Sequence, residues 1–292
     1  MNPRTPTGPD PKSLRGCSIS GIEGLKHLDF EINYLELRDK FKTWLSRYSE
    51  EYSRDILRYL DRYLSNKIIK NQEDLLNLIN SVKSGKRHLC YSLRVFFNFL
   101  EEFGILDEEI LNKLRKIVKI PKVGSDNYIP SNEEVIEAYR RIKNEETKII
   151  FKLLAFSGIR VAEASKLLSE FDKSKLMING NIAKYPLSML RGTKNVYYAY
   201  MPKDFALELR RINLSRKAII NRFCRFSLPA KYLRKWNYNF LILNGVPESV
   251  ADFIQGRASI TVGSMHYLAK VKQADEWYSK IVDKLLKIFR DL

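Results

Sequence analysis

Between residues 32 and 118 apolar side chains recur at intervals of three and four. Tyr34, Leu37, Phe41, Trp44 and Leu45 form one stripe, and Tyr52, Ile56, Tyr59, Leu60 and Tyr63 a second. Leu75, Leu76, Leu78 and Ile79 mark a third. Leu89, Leu93, Phe96, Phe97 and Leu100 mark a fourth that stops near Gly104, and Ile110, Leu111 and Leu114 begin a short fifth. This spacing puts each set on one face of a helix, and five such faces predict a compact helical domain over 31–118. Residues 1–30, with Pro3, Pro6, Pro9 and Pro11 among Gly and Ser, read as a flexible basic arm. Pro121, Gly124 and Pro130 interrupt the periodicity and make 119–130 a linker.

A second domain is expected over 131–292. Ser131 with Glu134 three residues later is a capping box. Lys148 to Phe156 is an apolar helix that Gly158 ends, and Arg160 opens the next one. Strand character is confined to Leu176–Pro202, with turn signals at Asn179-Gly180-Asn181 and Arg191-Gly192-Thr193-Lys194 and a β-rich run from Val196 to Tyr200. Helix then resumes. Phe205, Leu207 and Leu209 come first, and Trp236, Phe240 and Leu243 follow on a helix that begins near Lys231 and closes at Asn244-Gly245. Val246, Val250 and Phe253 pattern another, which ends at Gly256. A helix should start within Thr261–Tyr267. The last stripe, Trp277, Ile281, Leu285 and Phe289, packs either on its own core or on a neighbouring protomer. The fold class is therefore mainly α with a small β-sheet, in two domains.

Charge changes the picture. The net charge is +17, which points to a polyanionic partner. Residues 131–292 carry 29 basic and 16 acidic side chains, against 22 and 18 before them. From Arg210 to Lys235 there are nine basic residues and no acidic one. Arg210, Arg211, Arg216, Lys217, Arg222, Arg225 and Lys235 are the expected phosphate contacts. In the first domain Lys86 and Arg87, with Lys83 and Arg94, are candidates for the same role. No apolar run reaches membrane-spanning length and the N-terminus has no signal core, so a cytoplasmic protein at the nucleoid is expected. Cys17, Cys90 and Cys224, like His27, His88 and His266, have no metal-ligand spacing; neither metal nor cofactor is expected.

Lys231 and Arg234 lie one helical turn apart, Arg257 follows Gly256, and Tyr267 follows His266 ten residues later. Fixed cations near a phenol suit attack on a phosphodiester. This order, with Ser157-Gly158-Ile159-Arg160-Val161-Ala162-Glu163 upstream, resembles the tyrosine recombinase (integrase) family over residues 31–292. The Arg257 and His266-Tyr267 features look most like the integrases of archaeal fuselloviruses and related plasmids. The resemblance implies a helical core-binding domain followed by a catalytic domain. Tyr267 is then the nucleophile, and Arg160 and Arg234 grip the non-bridging oxygens. Lys194, in the sheet's turn, is the general acid, a role that Lys184 and Arg191 fit less well. Lys231 and Arg257 add charge in the transition state or help with proton transfer, and Glu163 orients a cation. Arg257 departs from the family's common His or Trp and leaves only an electrostatic role there.

The implied activity is site-specific recombination through a 3′-phosphotyrosyl intermediate, without ATP or metal, integrating or excising a viral or plasmid genome. The implied partner is double-stranded DNA at attachment sites, bound by a homotetramer that is a monomer or dimer when free. A type IB topoisomerase and a non-cleaving DNA-binding protein of the same fold are the alternatives. Tyr278 is the rival nucleophile, but it sits beside Trp277 in the final apolar stripe.

Overall fold

The chain partitions its apolar residues into two separate cores, and the division falls between Ser125 and Asp126. The computed structural model describes residues 30–122, 124, 126–191, 194–226, 228–257 and 267–290, without the side chains of 188–191, 194, 195, 267, 268 and 290. The arm expected at 1–30 lies outside the described residues except for Phe30.

In the first unit, helices α1 (Tyr34–Leu45), α2 (Glu50–Leu64), α3 (Gln72–Ser81), α4 (Lys86–Glu102) and α5 (Glu108–Ile117) follow the five stripes. Their core is aromatic: Phe41 meets Phe96 edge-on at 5.0 Å, and Trp44 and Phe99 pack around them. Two details differ from the sequence reading. The helical pattern seemed to start at Ile32, but β1 (Ile32–Asn33) pairs antiparallel with β2 (Ile68–Ile69), and the helix begins at Tyr34. Ile32 and Ile69 are thereby both buried, a long-range pairing that no local period reveals. Tyr52 and Leu76 lie outside the core although their spacing matches it. On α2 the buried line runs through Ile56, Leu60 and Leu64, and Tyr52 packs on Tyr48 at the surface instead.

The second unit is built on α7 (Glu145–Ser157), which is buried on nearly every side. Before it, α6 (Asn132–Arg140) starts with the expected box: Ser131 Oγ accepts from Glu134 N, and Glu134 Oε2 accepts from Ser131 N. After it come α8 (Val161–Ser169) and a three-stranded antiparallel sheet in the order β3 (Met177–Asn179), β4 (Ile182–Arg191), β5 (Lys194–Pro202). Strand β4 fills the stretch between the two predicted turns. It runs through Pro186, and the register with β5 shifts between Pro186 and Met189, where proline has no N–H for the ladder. The helices α9 (Lys203–Glu208), α10 (Arg216–Cys224), α11 (Ala230–Leu243) and α12 (Glu248–Gln255) follow.

The chain closes with α13 (Tyr267–Arg290), 24 residues long. The last stripe is part of this one helix and packs on its own unit: Ala274, Tyr278, Ile281, Val282, Leu285 and Phe289 all enter the core. Phe289 reaches Phe156 at 5.2 Å and Tyr139 at 5.6 Å. The stretch 261–266, including His266, lies outside the described residues, so the helix is described from Tyr267 onward. Among the described residues no helix is long and apolar enough to cross a membrane.

Candidate active site

The site is assembled around two helix ends. Helix α7 stops at Gly158, which adopts the left-handed conformation at φ 61°. A side chain there would be strained, and its Cβ would collide with the buried amides of Asn237 and Gln255. The turn delivers Arg160 to the N-cap of α8. Glu163, buried in the first turn of that helix, accepts from the Arg160 backbone N–H at 2.6 Å and from Nη1 of its guanidinium at 2.7 Å. Glu163 thus holds Arg160 at both ends. Arg160 Nη2 also donates to the Gly256 carbonyl at 3.4 Å.

Helix α12 ends likewise at Gly256, φ 62°, and presents Arg257. The Arg257 Nε donates to Gln255 Oε1 at 2.9 Å, and its guanidinium lies 4.2 Å from the centre of the Tyr238 ring. The Tyr238 hydroxyl donates to Asp252 at 3.1 Å; burial and this carboxylate push the phenol up to about 12. Arg234, on α11, donates through Nη1 to the Gly158 carbonyl at 2.7 Å. Burial, then the charges of Arg160 and Arg257, push its guanidinium down to about 9, which still leaves it charged at neutral pH. Three guanidiniums from positions 160, 234 and 257 therefore share one half-buried place, opposed by Glu163 and Asp252. An excess of partly desolvated cation favours a bound anion.

The other expected residues are placed differently. Lys231 is exposed and directed at Asp126, 2.8 Å away, with its ammonium 4.5 Å from the Tyr232 ring centre. Lys235 contacts the same carboxylate at 3.4 Å and donates to the carbonyls of Asp126 and Tyr128. The hydrogen bond from Lys231 holds the Asp126 carboxyl well below the usual carboxylate range. Lys194 is the first residue of β5, opposite Arg191 across the turn. Tyr267 is the first residue of α13. The side chains of Lys194 and Tyr267 are outside the described set.

Within the basic block Arg210, Arg211, Arg216, Lys217 and Arg225 are exposed. Arg211 donates to Phe171 O at 3.4 Å. Arg222 is turned inward: its Nη1 reaches Thr147 Oγ1 at 3.2 Å and Glu146 at 3.4 Å, bracing the start of α7. In the first unit Lys86 meets Asn80 at 3.1 Å, Arg87 donates to the Pro121 carbonyl, and Arg94 donates to Val118 O at 3.1 Å and Arg115 O at 3.3 Å. Arg87 and Arg94 thus tie α4 to the last turn of α5 and the chain that follows it.

Sequence reasoning missed Asn237 and Gln255. Both are fully buried amides that link the ends of α7 and α12 through α11. The available signal was an asparagine next to Trp236 and a glutamine before Gly256, on faces whose other members are apolar.

No curated protein matches the chain. Among solved structures, a lambda integrase dimer bound to a COC′ core site matches with TM-score 0.59 at 14% identity, covering 80% of this chain and 97% of that one. A lambda integrase tetramer bound to a Holliday junction matches with TM-score 0.60 at 13% identity, covering 80% of each chain. At such identities the likeness speaks to the fold, and the fold is that of the tyrosine recombinases. The archaeal phage integrase family matches residues 127–284, more than half of the length and including Arg160, Arg234 and Arg257, so the chain belongs to the archaeal phage integrase family.

Proposed function

We propose that this tyrosine recombinase binds duplex DNA at attachment sites and exchanges strands through a covalent link between Tyr267 and a 3′ phosphate. The observation that carries the reading is the convergence of Arg160, Arg234 and Arg257 around the carbonyls of Gly158 and Gly256. Two planar forks suit the non-bridging oxygens of one phosphate and stabilise the extra charge of a pentavalent transition state. The phenolic oxygen of Tyr267 attacks phosphorus and gives up its proton to solvent water. The bond from phosphorus to the 5′ oxygen breaks, and Lys194 supplies the proton that makes this oxygen a hydroxyl. A 5′-hydroxyl from a partner strand reverses the step, so the energy of the phosphodiester is conserved and no nucleotide cofactor is consumed. Arg257 contributes charge only. Glu163 keeps Arg160 aligned. Lys231 joins the site once a phosphate competes with Asp126 for it. The exposed cations Arg210, Arg216, Lys217 and Arg225 supply sequence-independent grip on the backbone. The working unit on DNA is a homotetramer, which pairs two duplexes and four tyrosines.

The test is exchange between two differently labelled duplexes that carry the same attachment site. Recombinant molecules with both labels are expected. Relaxation of a supercoiled plasmid with no doubly labelled product would assign the chain to topoisomerase chemistry instead.

A further inference from the structure

The buried amides at the centre of the site form a chain with a fixed direction. The Asn237 Nδ2 donates to the carbonyls of Ala155 at 2.8 Å and Phe156 at 3.0 Å, the last turn of α7. Carbonyls only accept, so the amide nitrogen must face them and Oδ1 must face the other way. There Oδ1 accepts from Gln255 Nε2 at 2.6 Å, and the same nitrogen donates to the Arg234 carbonyl at 3.0 Å. With the nitrogen of Gln255 so committed, its Oε1 is turned to Arg257 and accepts from Nε at 2.9 Å. Both side chains are 0% exposed, and the missing Cβ of Gly158 makes the room they occupy.

An apolar pair would fill this space without the cost of burying two amides. What the amides add is orientation. The polarity of the α7 terminus passes through Asn237 to Gln255 and fixes the plane of the Arg257 guanidinium, which has many rotamers of its own. Tyr238 supports the face of the same guanidinium. The relay also touches the backbone of Arg234 and closes on Gly158, whose carbonyl holds the Arg234 side chain.

We propose that Gln255, oriented by Asn237, is the positioning residue for Arg257 and sets its guanidinium against the scissile phosphate. This rests on the reading that Arg257 acts in strand cleavage. The effect is on rate rather than binding, because Gln255 itself is out of reach of DNA.

The experiment measures single-turnover formation of the covalent complex on a nicked duplex, with affinity measured separately, for Gln255→Leu, Arg257→Ala and the double variant. Gln255→Leu is expected to slow cleavage about ten- to a hundredfold at saturating protein. Its affinity should stay within about twofold of wild type, and the double variant should be no slower than Arg257→Ala alone. An equal fractional loss in the Arg257→Ala background overturns the proposal, since Gln255 would then act without Arg257. If Gln255→Leu does not fold, Gln255→Met removes the same acceptor with an unbranched side chain of similar length. Its loss should likewise vanish in the Arg257→Ala background, and a multiplicative loss again overturns the proposal. Absence of a covalent complex from the wild-type protein would instead refute the assignment of cleavage itself.

Discussion

The Lys184 ammonium lies 2.6 Å from Asp275 Oδ2, and the Tyr200 hydroxyl donates to the other oxygen of that carboxylate at 3.0 Å. This pair joins β4 to α13, the helix that begins with Tyr267. Asn181 and Ser279 make a second tie, with the serine hydroxyl donating to the asparagine at 2.6 Å. The Lys184 side chain is only 10% exposed and already neutralised. Its place in the fold is to fasten α13 to the sheet, and Lys194, at the start of β5 in the same hairpin, is the proton donor we propose.

The two lysines should separate on a substrate whose 5′ leaving oxygen is replaced by sulfur, a leaving group that needs no proton. Lys194→Ala is expected to slow cleavage of the ordinary phosphodiester strongly and of the sulfur substrate little. Lys184→Met leaves a largely buried Asp275 without its cation and should lower unfolding stability by about 3 kcal/mol. Its effect on cleavage should be equal for both substrates. A sulfur effect confined to the Lys184 variant would reassign the acid.

Asp126 pairs with Lys231 at 2.8 Å and with Lys235 at 3.4 Å. Asp126→Asn should therefore raise affinity for duplex DNA at low salt and steepen the fall of log K with log salt, as more lysine charge becomes available to release counterions. The carboxyl is held below its ordinary value chiefly by the hydrogen bond from Lys231, so the contact is complete above that value and lost only at still lower pH. The affinity ratio of variant to wild type should accordingly stay constant between about pH 5 and about pH 8. Unchanged affinity in binding titrations would place Lys231 and Lys235 away from the DNA.

The features that were legible in the sequence are those set by local order. Stripes at helical spacing located α1 to α5. Ser131 with Glu134 marked the start of α6, and Gly158 and Gly256 marked helix ends, because capping and positive φ act over a few residues. Arg160, Arg234 and Arg257 stood out by their order and spacing in the sequence. Their convergence did not, because it depends on two left-handed turns meeting across α11. Lys231 and Arg234 share a helix face, yet Asp126 draws the lysine outward and Gly158 O draws the arginine inward. Arg87, Arg94 and Arg222 read as candidate phosphate contacts, but each finds a carbonyl or hydroxyl that only the folded chain brings near. The pairing of Asn237 with Gln255 is of the same kind.

Arg234 offers a test of how dry the site is. Burial and the two neighbouring guanidiniums bring it down to about 9. A lysine starts about two units lower, near ~10.4, so the same burial and neighbouring charges should push its ammonium down toward the neutral range. Arg234→Lys should then lose activity relative to wild type as pH rises from about 6 to about 8 and the amine gives up its charge. Wild type should show no such loss over that interval. A rate ratio between variant and wild type that does not change with pH would mean that position 234 is well solvated.

The nucleophile can be argued from burial and bonding as well as from spacing. Tyr267 and Tyr278 lie on the same helix, eleven residues apart. Tyr278 is 0% exposed, and its hydroxyl donates to Phe156 O at 2.9 Å. Burial raises its phenol well above the ordinary value, so it resists the ionisation that attack requires. A phosphate could reach it only if α13 left the core. Tyr278→Phe removes one hydrogen bond and costs about 1 kcal/mol, because Phe156 O still accepts from Asn237 Nδ2 at 3.0 Å. That variant should remain folded and still form the covalent protein–DNA product. Tyr267→Phe should bind the same duplex with unchanged affinity and form none. Denaturing gels of both variants on a nicked, labelled duplex decide between them. A covalent band from Tyr267→Phe, or its loss from a folded Tyr278→Phe, would move the nucleophile elsewhere.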